Sequence, residues 1–308
     1  LLNLPINDKG LDVHWSGKDD ISAREIVKDT GKFIHIHPVS QCMYKCINDK
    51  IMAQVIDYCE LELKTKVVLT AAPVDQELER IVNILKYTKS KPIDLSGKLT
   101  LLEASALNKL AQMLIVVDTA IMHIATANDV PVLAFFGPTA VDNWGPWDKA
   151  LTETTYQRKG GMQQHGKHRV LMDNRECVPC SQTGCNNSGV SDCLNTLNLD
   201  LIKENIRNTL NEKKKIRVLH TEWSDGWGGQ EIRIINEMLA LREKGVEVFL
   251  ACRDHAVIKQ KALENNIQVF ILPFRGNADF KTLFALKGLI KKHSIDIVNT
   301  HSGKDTWV

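Results

Sequence analysis

With 308 residues the chain has room for about two domains of roughly 150 residues each, and an apolar fraction of 44% is enough for sizeable cores. A net charge of +2 gives no general field for gathering nucleic acid or an anionic membrane surface. No apolar run approaches the roughly 20 residues that cross a bilayer, and no secretion signal stands out, so the expected compartment is the cytoplasm. There the eight cysteines would be reduced thiols or metal ligands. The first residue is Leu1 rather than Met, and an upstream part of the protein is expected.

In chain order, Phe33–His37 reads as a short strand stopping at Pro38. Ile51, Met52, Val55, Ile56 and Tyr58 then recur at helical spacing across Asp49–Cys59. Val67–Thr70 is a second strand, Asp75–Leu85 a second helix and Leu101–Gln112 a third. Leu114–Val117 has the continuous apolar character of a buried strand, and Asp118 and Thr119 offer cap chemistry for a helix to about Asn128. Val132–Phe136 is the next strand, closed by Gly137-Pro138. From Asn143 to Cys193 periodicity dissolves into Trp, Gly, Pro, His and Cys, and an irregular loop region is expected. A helix returns over Leu199–Leu210, and the polar run Asn211–Lys215 is read as the hinge between domains. After it the alternation restarts with Ile216–His220, Glu231–Lys244, Val246–Ala251, Gln268–Leu272 and Ile295–Thr300. This second α/β domain is expected to be truncated at Val308.

Three constellations carry chemistry. In Val117–Ala125 a buried strand runs through small and capping residues into a helix whose first amides suit a phosphate. Two readings stay open from the residues alone: a ligand turn, or Asp118 serving only as a cap with His123 a core histidine. Cys177, Cys180, Cys185 and Cys193 fall inside seventeen residues, which suits a structural zinc held by four thiolates, with loosely paired buried thiols as the other reading. Trp223–Glu231 places Gly228 and Gly229 between a strand and a helix, where a backbone can approach an anion.

The ordered motifs Asp118-Thr119-Ala120-Ile121-Met122-His123, Phe135-Phe136-Gly137-Pro138-Thr139 and Trp144-Gly145-Pro146-Trp147 resemble the ADP-heptose transferases of glycosyltransferase family 9. His37-Pro38-Val39-Ser40, Lys45 and Leu69-Thr70-Ala71-Ala72-Pro73 extend the likeness, which runs from about Gly31 to Leu210 and is greatest to the type III branch. The resemblance implies the carboxyl-terminal, donor-binding half of a GT-B enzyme of lipopolysaccharide core synthesis. By position, Ser40 and Lys45 would bind donor phosphates, and Thr70 lies in a matched segment of the donor site. Asp75, with Glu77 as a second choice, would hold the ribose hydroxyls, and Leu99 would meet adenine. Asp118, Thr119, Ala120 and His123 would touch phosphate and heptose. Ala120 stands where many members have Gly, and Gln41-Cys42 where the type III branch commonly has Arg-Trp. The family's general base belongs to the amino-terminal domain, of which residues 1–30 look like the last fragment.

Val218-Leu219-His220, Gly228-Gly229-Gln230-Glu231, Leu241–Val248 and Asp296–Ser302 resemble the opening domain of a family 4 glycosyltransferase. That likeness places Gly228 and Gly229 near a donor diphosphate and His301 in the cleft. The expected organisation is therefore two Rossmann-like parallel-sheet domains of GT-B type from two different glycosyltransferases, each enzyme incomplete: a remnant over 1–30, a donor-binding domain over 31–212 and a truncated domain over 213–308. The resemblance implies inverting transfer of heptose from ADP-heptose to inner-core lipopolysaccharide. It requires no metal cofactor and allows peripheral contact with the inner face of the cytoplasmic membrane. The alternatives are an inert nucleotide-sugar-binding fusion fragment and a metal-stabilised interaction module.

Overall fold

The computed structural model describes residues 11–211, 216–275 and 279–303. The chain divides into two compact units, residues 1–212 and 213–308. In the first, α1 (Gly17–Val27), β1 (Phe33–His37), α2 (Asp49–Asp57), β2 (Lys66–Leu69), α3 (Asp75–Leu85) and β3 (Ile93–Asp94) are followed by α4 (Leu101–Leu110) and β4 (Leu114–Val117). Then come α5 (Ala120–Ala127), β5 (Val132–Phe136), α6 (Val141–Trp144), β6 (Met162–His165), β7 (His168–Met172), α7 (Asp192–Asn195) and α8 (Leu199–Asn211).

The seven strands lie in the order β3-β2-β1-β4-β5-β7-β6. All pairings are parallel except that of β6 with β7. This is the α/β, parallel-dominated architecture expected from the sequence. Both faces of the sheet are covered, which is why β4 and β5 are apolar without alternation and buried at every residue. On one face Ile34 and Ile36 join a core with Met52 and Ile56 of α2 and Ile202 and Ile206 of α8. On the other, Phe33 and Val68 pack with Ala23 and Val27 of α1 and Leu107 of α4. Each fully buried Ile, Leu or Phe contributes roughly 1.5–3 kcal/mol of transfer free energy. Because side chains alternate along a strand, His35 and His37 share the face of Phe33.

Four sequence expectations change. Residues 17–27, inside the segment read as a remnant, form a helix that the sequence reading did not name: Ser16 and Asp19 make a reciprocal capping box. The region expected to be irregular contains the hairpin β6–β7, and β7 pairs with β5 inside the main sheet. The polar pair His168-Arg169 opens β7 and shortens its apolar run, although both residues are buried. The cap of α5 is Thr119, without a side-chain capping bond, so Asp118 is not the cap. Finally, α2 ends at Asp57 and gives way to a π-helical turn over Tyr58–Glu62.

In the second unit β8 (Arg217–Glu222), α9 (Gly229–Glu243), β9 (Glu247–Cys252), α10 (Val257–Glu264), β10 (Gln268–Ile271), α11 (Phe280–Lys292) and β11 (Ile297–Thr300) build a parallel sheet ordered β10-β9-β8-β11. Among the described residues no helix is long and apolar enough to cross a membrane.

Candidate functional site

The carboxyl ends of β1 and β4 neighbour each other, because His37 pairs with Val116. In open parallel sheets that edge is where ligands sit. Beyond β1, the buried Ser40 hydroxyl accepts the amide N–H of Cys42 at 3.2 Å, which leaves its own proton free to donate. A short 3-10 turn, Met43–Lys45, then carries the Lys45 ammonium to 2.8 Å from Oδ2 of Asp118 at the end of β4. This is a charge contact rather than an aligned hydrogen bond, since Asp118 Oδ2 has no hydrogen-bond partner. The carboxylate side chain is only 8% exposed, so its charge depends on the lysine.

Helix α5 starts at Ala120, with the cap Thr119 between it and Asp118. Its first turn holds no acidic residue, and Thr119 makes no side-chain cap bond, so no carboxylate or hydroxyl covers the first amides. The exposed Ala120 adds only a methyl group there. These amides and the positive end of the helix dipole face the same edge as Ser40 and Lys45. Burial pushes the His123 imidazole below its ordinary pKa, the Lys45 charge adds to that, and Asp118 opposes it. His123 is therefore neutral at pH 7. A hydroxyl, an ammonium and open amides together suit an oxyanion such as a phosphate.

The other expected donor residues are distributed differently. The Thr70 hydroxyl is buried between two rings, 2.7 Å from His35 Nε2 and 2.9 Å from His37 Nδ1, and so is committed inside the protein. Asp75 is exposed as the first residue of α3. Glu77, the second choice, is buried and accepts the Ala72 amide at 2.9 Å through Oε2; burial raises its pKa against that bond. Asp75 is thus the accessible carboxylate, and Glu77 braces the turn after β2. Leu99 is half-buried and packs against both cores of the unit.

The profile of glycosyltransferase family 9 (heptosyltransferase) matches residues 15–172, half of the chain. The chain belongs to glycosyltransferase family 9. It is similar to lipopolysaccharide heptosyltransferase 3 of Escherichia coli, at 32% identity over 122 residues, which are 39% of this chain and 36% of that protein. The protein of the same name from strain K12 is 34% identical over 128 residues, 41% of this chain and 36% of the relative. The chain thus spans about a third of the length of the curated relatives it matches. A solved family 9 glycosyl transferase from Veillonella parvula DSM 2008 superposes with a TM-score of 0.52 at 22% identity, covering 67% of this chain and 55% of that one. That likeness supports the fold.

In this family 9 chain Cys177, Cys180, Cys185 and Cys193 are all free thiols, and among the described residues no three His, Cys, Asp or Glu side chains are placed to hold an ion. Cys177 is exposed, and Cys185 Sγ accepts the Asp192 amide at 3.4 Å. Cys193 is buried against the strand-end turn Gly137, where an added Cβ would come within 3.0 Å of Cys193 Sγ. Packing at that glycine accounts for the position of Cys193.

In the second unit Gly228 is the cap of α9, and its amide donates to Glu231 Oε2 at 2.8 Å. His301 stacks on His220, with Nε2 of His301 2.9 Å from Nδ1 of His220, and Arg233 Nη2 lies 3.4 Å from its Nδ1. Burial lowers the His220 pKa to about 4, and the neighbouring His301 adds to the effect. Glu222 is fully buried and receives the Ser224 amide and the Gln230 side chain.

Sequence reasoning passed over His35, Asn108 and Asn128, which the structure links to Thr70 and His37 in one buried polar chain. The available signal was His-x-His on a strand, which puts two imidazoles on one face.

Proposed function

We propose that residues 31–212 form the donor-binding half of a family 9 enzyme that moves heptose from ADP-heptose to the inner core of lipopolysaccharide. The observation that carries this reading is the convergence of Ser40, the Lys45–Asp118 pair and the open start of α5 at one edge of the sheet. Ser40 and Lys45 donate to the diphosphate, the first amides of α5 take further phosphate oxygens, and Asp75 accepts from the ribose hydroxyls. His123, neutral and half-buried, lies on the sugar side. In transfer the acceptor oxygen attacks the anomeric carbon from the face opposite the diphosphate. The carbon–oxygen bond to ADP breaks, and the acceptor's proton passes to a base that this reading places outside residues 31–212. Lys45 and α5 then stabilise the charge that grows on the leaving diphosphate, so the reading needs no resident metal there.

The reading extends to a membrane-borne acceptor met at the cytoplasmic face by peripheral contact. It also assigns the second unit to the acceptor-side domain of a family 4 glycosyltransferase. Its parallel four-stranded sheet, the glycine cap of α9 and the His220–His301 pair support that assignment.

Calorimetric titration of the chain with ADP, UDP and GDP, repeated on Asp75→Ala, tests the donor assignment. ADP is expected to bind more tightly than UDP or GDP and to lose about tenfold in affinity in the variant. A folded chain without ADP affinity would overturn the reading and leave an inert fusion fragment.

A further inference from the structure

The polar chain behind Thr70 has a fixed direction. It starts at the Ser105 carbonyl, which only accepts, so the Asn128 group 2.9 Å away is its amide nitrogen, Nδ2. The same nitrogen lies 3.3 Å from Oδ1 of Asn108, which turns the Asn108 Nδ2 toward Nδ1 of His35 at 3.1 Å. An amide nitrogen donates, so His35 Nδ1 accepts and the His35 proton sits on Nε2. That N–H donates to Thr70 Oγ1 at 2.7 Å. The hydroxyl has one proton and donates it in a hydrogen bond to His37 Nδ1 at 2.9 Å. His37 must therefore carry its proton on Nε2.

Asn108, Asn128, His35, Thr70 and His37 are all buried, so water does not compete for these bonds. Burial also holds both imidazoles neutral, with pKa values of about 3 for His35 and about 4 for His37. The Nε2–H of His37 has no hydrogen-bond partner among the described residues. His37 is the last residue of β1, three before Ser40, at the edge where the phosphate cradle stands. Its Nε2 atom is not among the fully buried side-chain atoms that lack a partner, so it reaches the surface at that edge. A ligand oxygen or ring nitrogen arriving at that edge can accept from it.

We propose that the relay Asn128–Asn108–His35–Thr70 locks His37 in its Nε2–H tautomer, and that this N–H is a neutral hydrogen-bond donor to the nucleoside diphosphate. The inference rests on the donor-site reading above. His37 is the contacting residue; Asn108, His35 and Thr70 are positioning residues acting through it. A donor of this kind adds direction without adding charge, so its contribution is the same at pH 6 and pH 8.

The test is 15N-edited NMR of the imidazole rings of the full chain, with and without ADP, combined with ADP titrations. The ligand-free His37 ring should show a protonated Nε2 and a bare Nδ1, and ADP should shift the Nε2–H resonance. His37→Leu should lower ADP affinity about tenfold, with the same ratio at pH 6 and pH 8, whereas His37→Gln, which keeps an N–H, should stay near wild type. Thr70→Val should mix the His37 tautomers and Thr70→Ser restore the single one, with melting curves confirming that each variant is folded. ADP binding that leaves the His37 Nε2–H unmoved, or a protonated Nδ1 in the ligand-free ring, would overturn the inference while leaving the donor-site reading intact. Absence of ADP binding in a folded wild-type chain would remove both.

Discussion

At the residue scale the Lys45–Asp118 pair sets the electrostatics of the cradle. Two charges 2.8 Å apart with little water around them attract strongly, yet each depends on the other for solvation. Removing the ammonium alone leaves a buried carboxylate facing the incoming diphosphate. Lys45→Ala is therefore expected to weaken ADP binding more than the double variant Lys45→Ala/Asp118→Asn does, by about tenfold. Isothermal titration on the four proteins of the cycle measures this. Equal losses in the single and double variants would mean that Asp118 does not act through Lys45. Of this arrangement, the sequence made Ser40, Lys45 and Asp118 legible as residue types in order, because short motifs hold their spacing. Their pairing was not legible: Lys45 and Asp118 are far apart in the chain and meet only because β1 and β4 are neighbours. The bonds of Thr70 were hidden for the same reason, since its partners lie on β1.

At the scale of elements, the strands carry an unusual load of buried imidazole. His35 and His37 on β1 and His168 on β7 have pKa values lowered by burial to about 3, 4 and 3. An unfolded chain takes up protons on these rings near pH 6.5, before the folded one does. Their contribution to stability is therefore complete above that pH and is lost as pH falls toward 4, at about 1.4 kcal/mol per pH unit per ring. Burial works against the Asp148 carboxyl beside His168, yet the Lys167 ammonium and the backbone N–H groups of Ala150 and Lys167 help hold it below the usual range, so it stays ionised across this window. The melting temperature of the first unit is expected to fall from pH 7 to pH 5, less steeply in His168→Leu. A melting temperature unchanged over that range would contradict the assignment of neutral buried rings. The same strand explains a limit of sequence reading. Continuous apolar runs announced β4 and β5, whereas β7 begins with His168 and Arg169, residues whose burial depends on neighbours such as Asp148 that no local pattern reveals.

At the scale of the whole molecule, the chain joins a family 9 unit to a second parallel α/β unit, with the division at residues 212–213 inside the charged run 211–215. Fold class was legible because strand–helix alternation repeats across both halves and tolerates a missed hairpin. The division of labour was legible only in part. The family 9 match covers residues 15–172, and the aligned stretch is about a third of the length of the curated relatives, so the proposed transfer also draws on residues outside that stretch. The proposed function stands on a nucleoside diphosphate binding at the carboxyl edge of the first sheet, and a crystal structure of the chain grown with saturating ADP tests this most directly. Diphosphate oxygens are expected within hydrogen-bond distance of Ser40 Oγ, Lys45 Nζ and the amides of Ala120 and Ile121. Ordered ADP bound elsewhere, or a folded chain with an empty edge at saturating ligand, would contradict it.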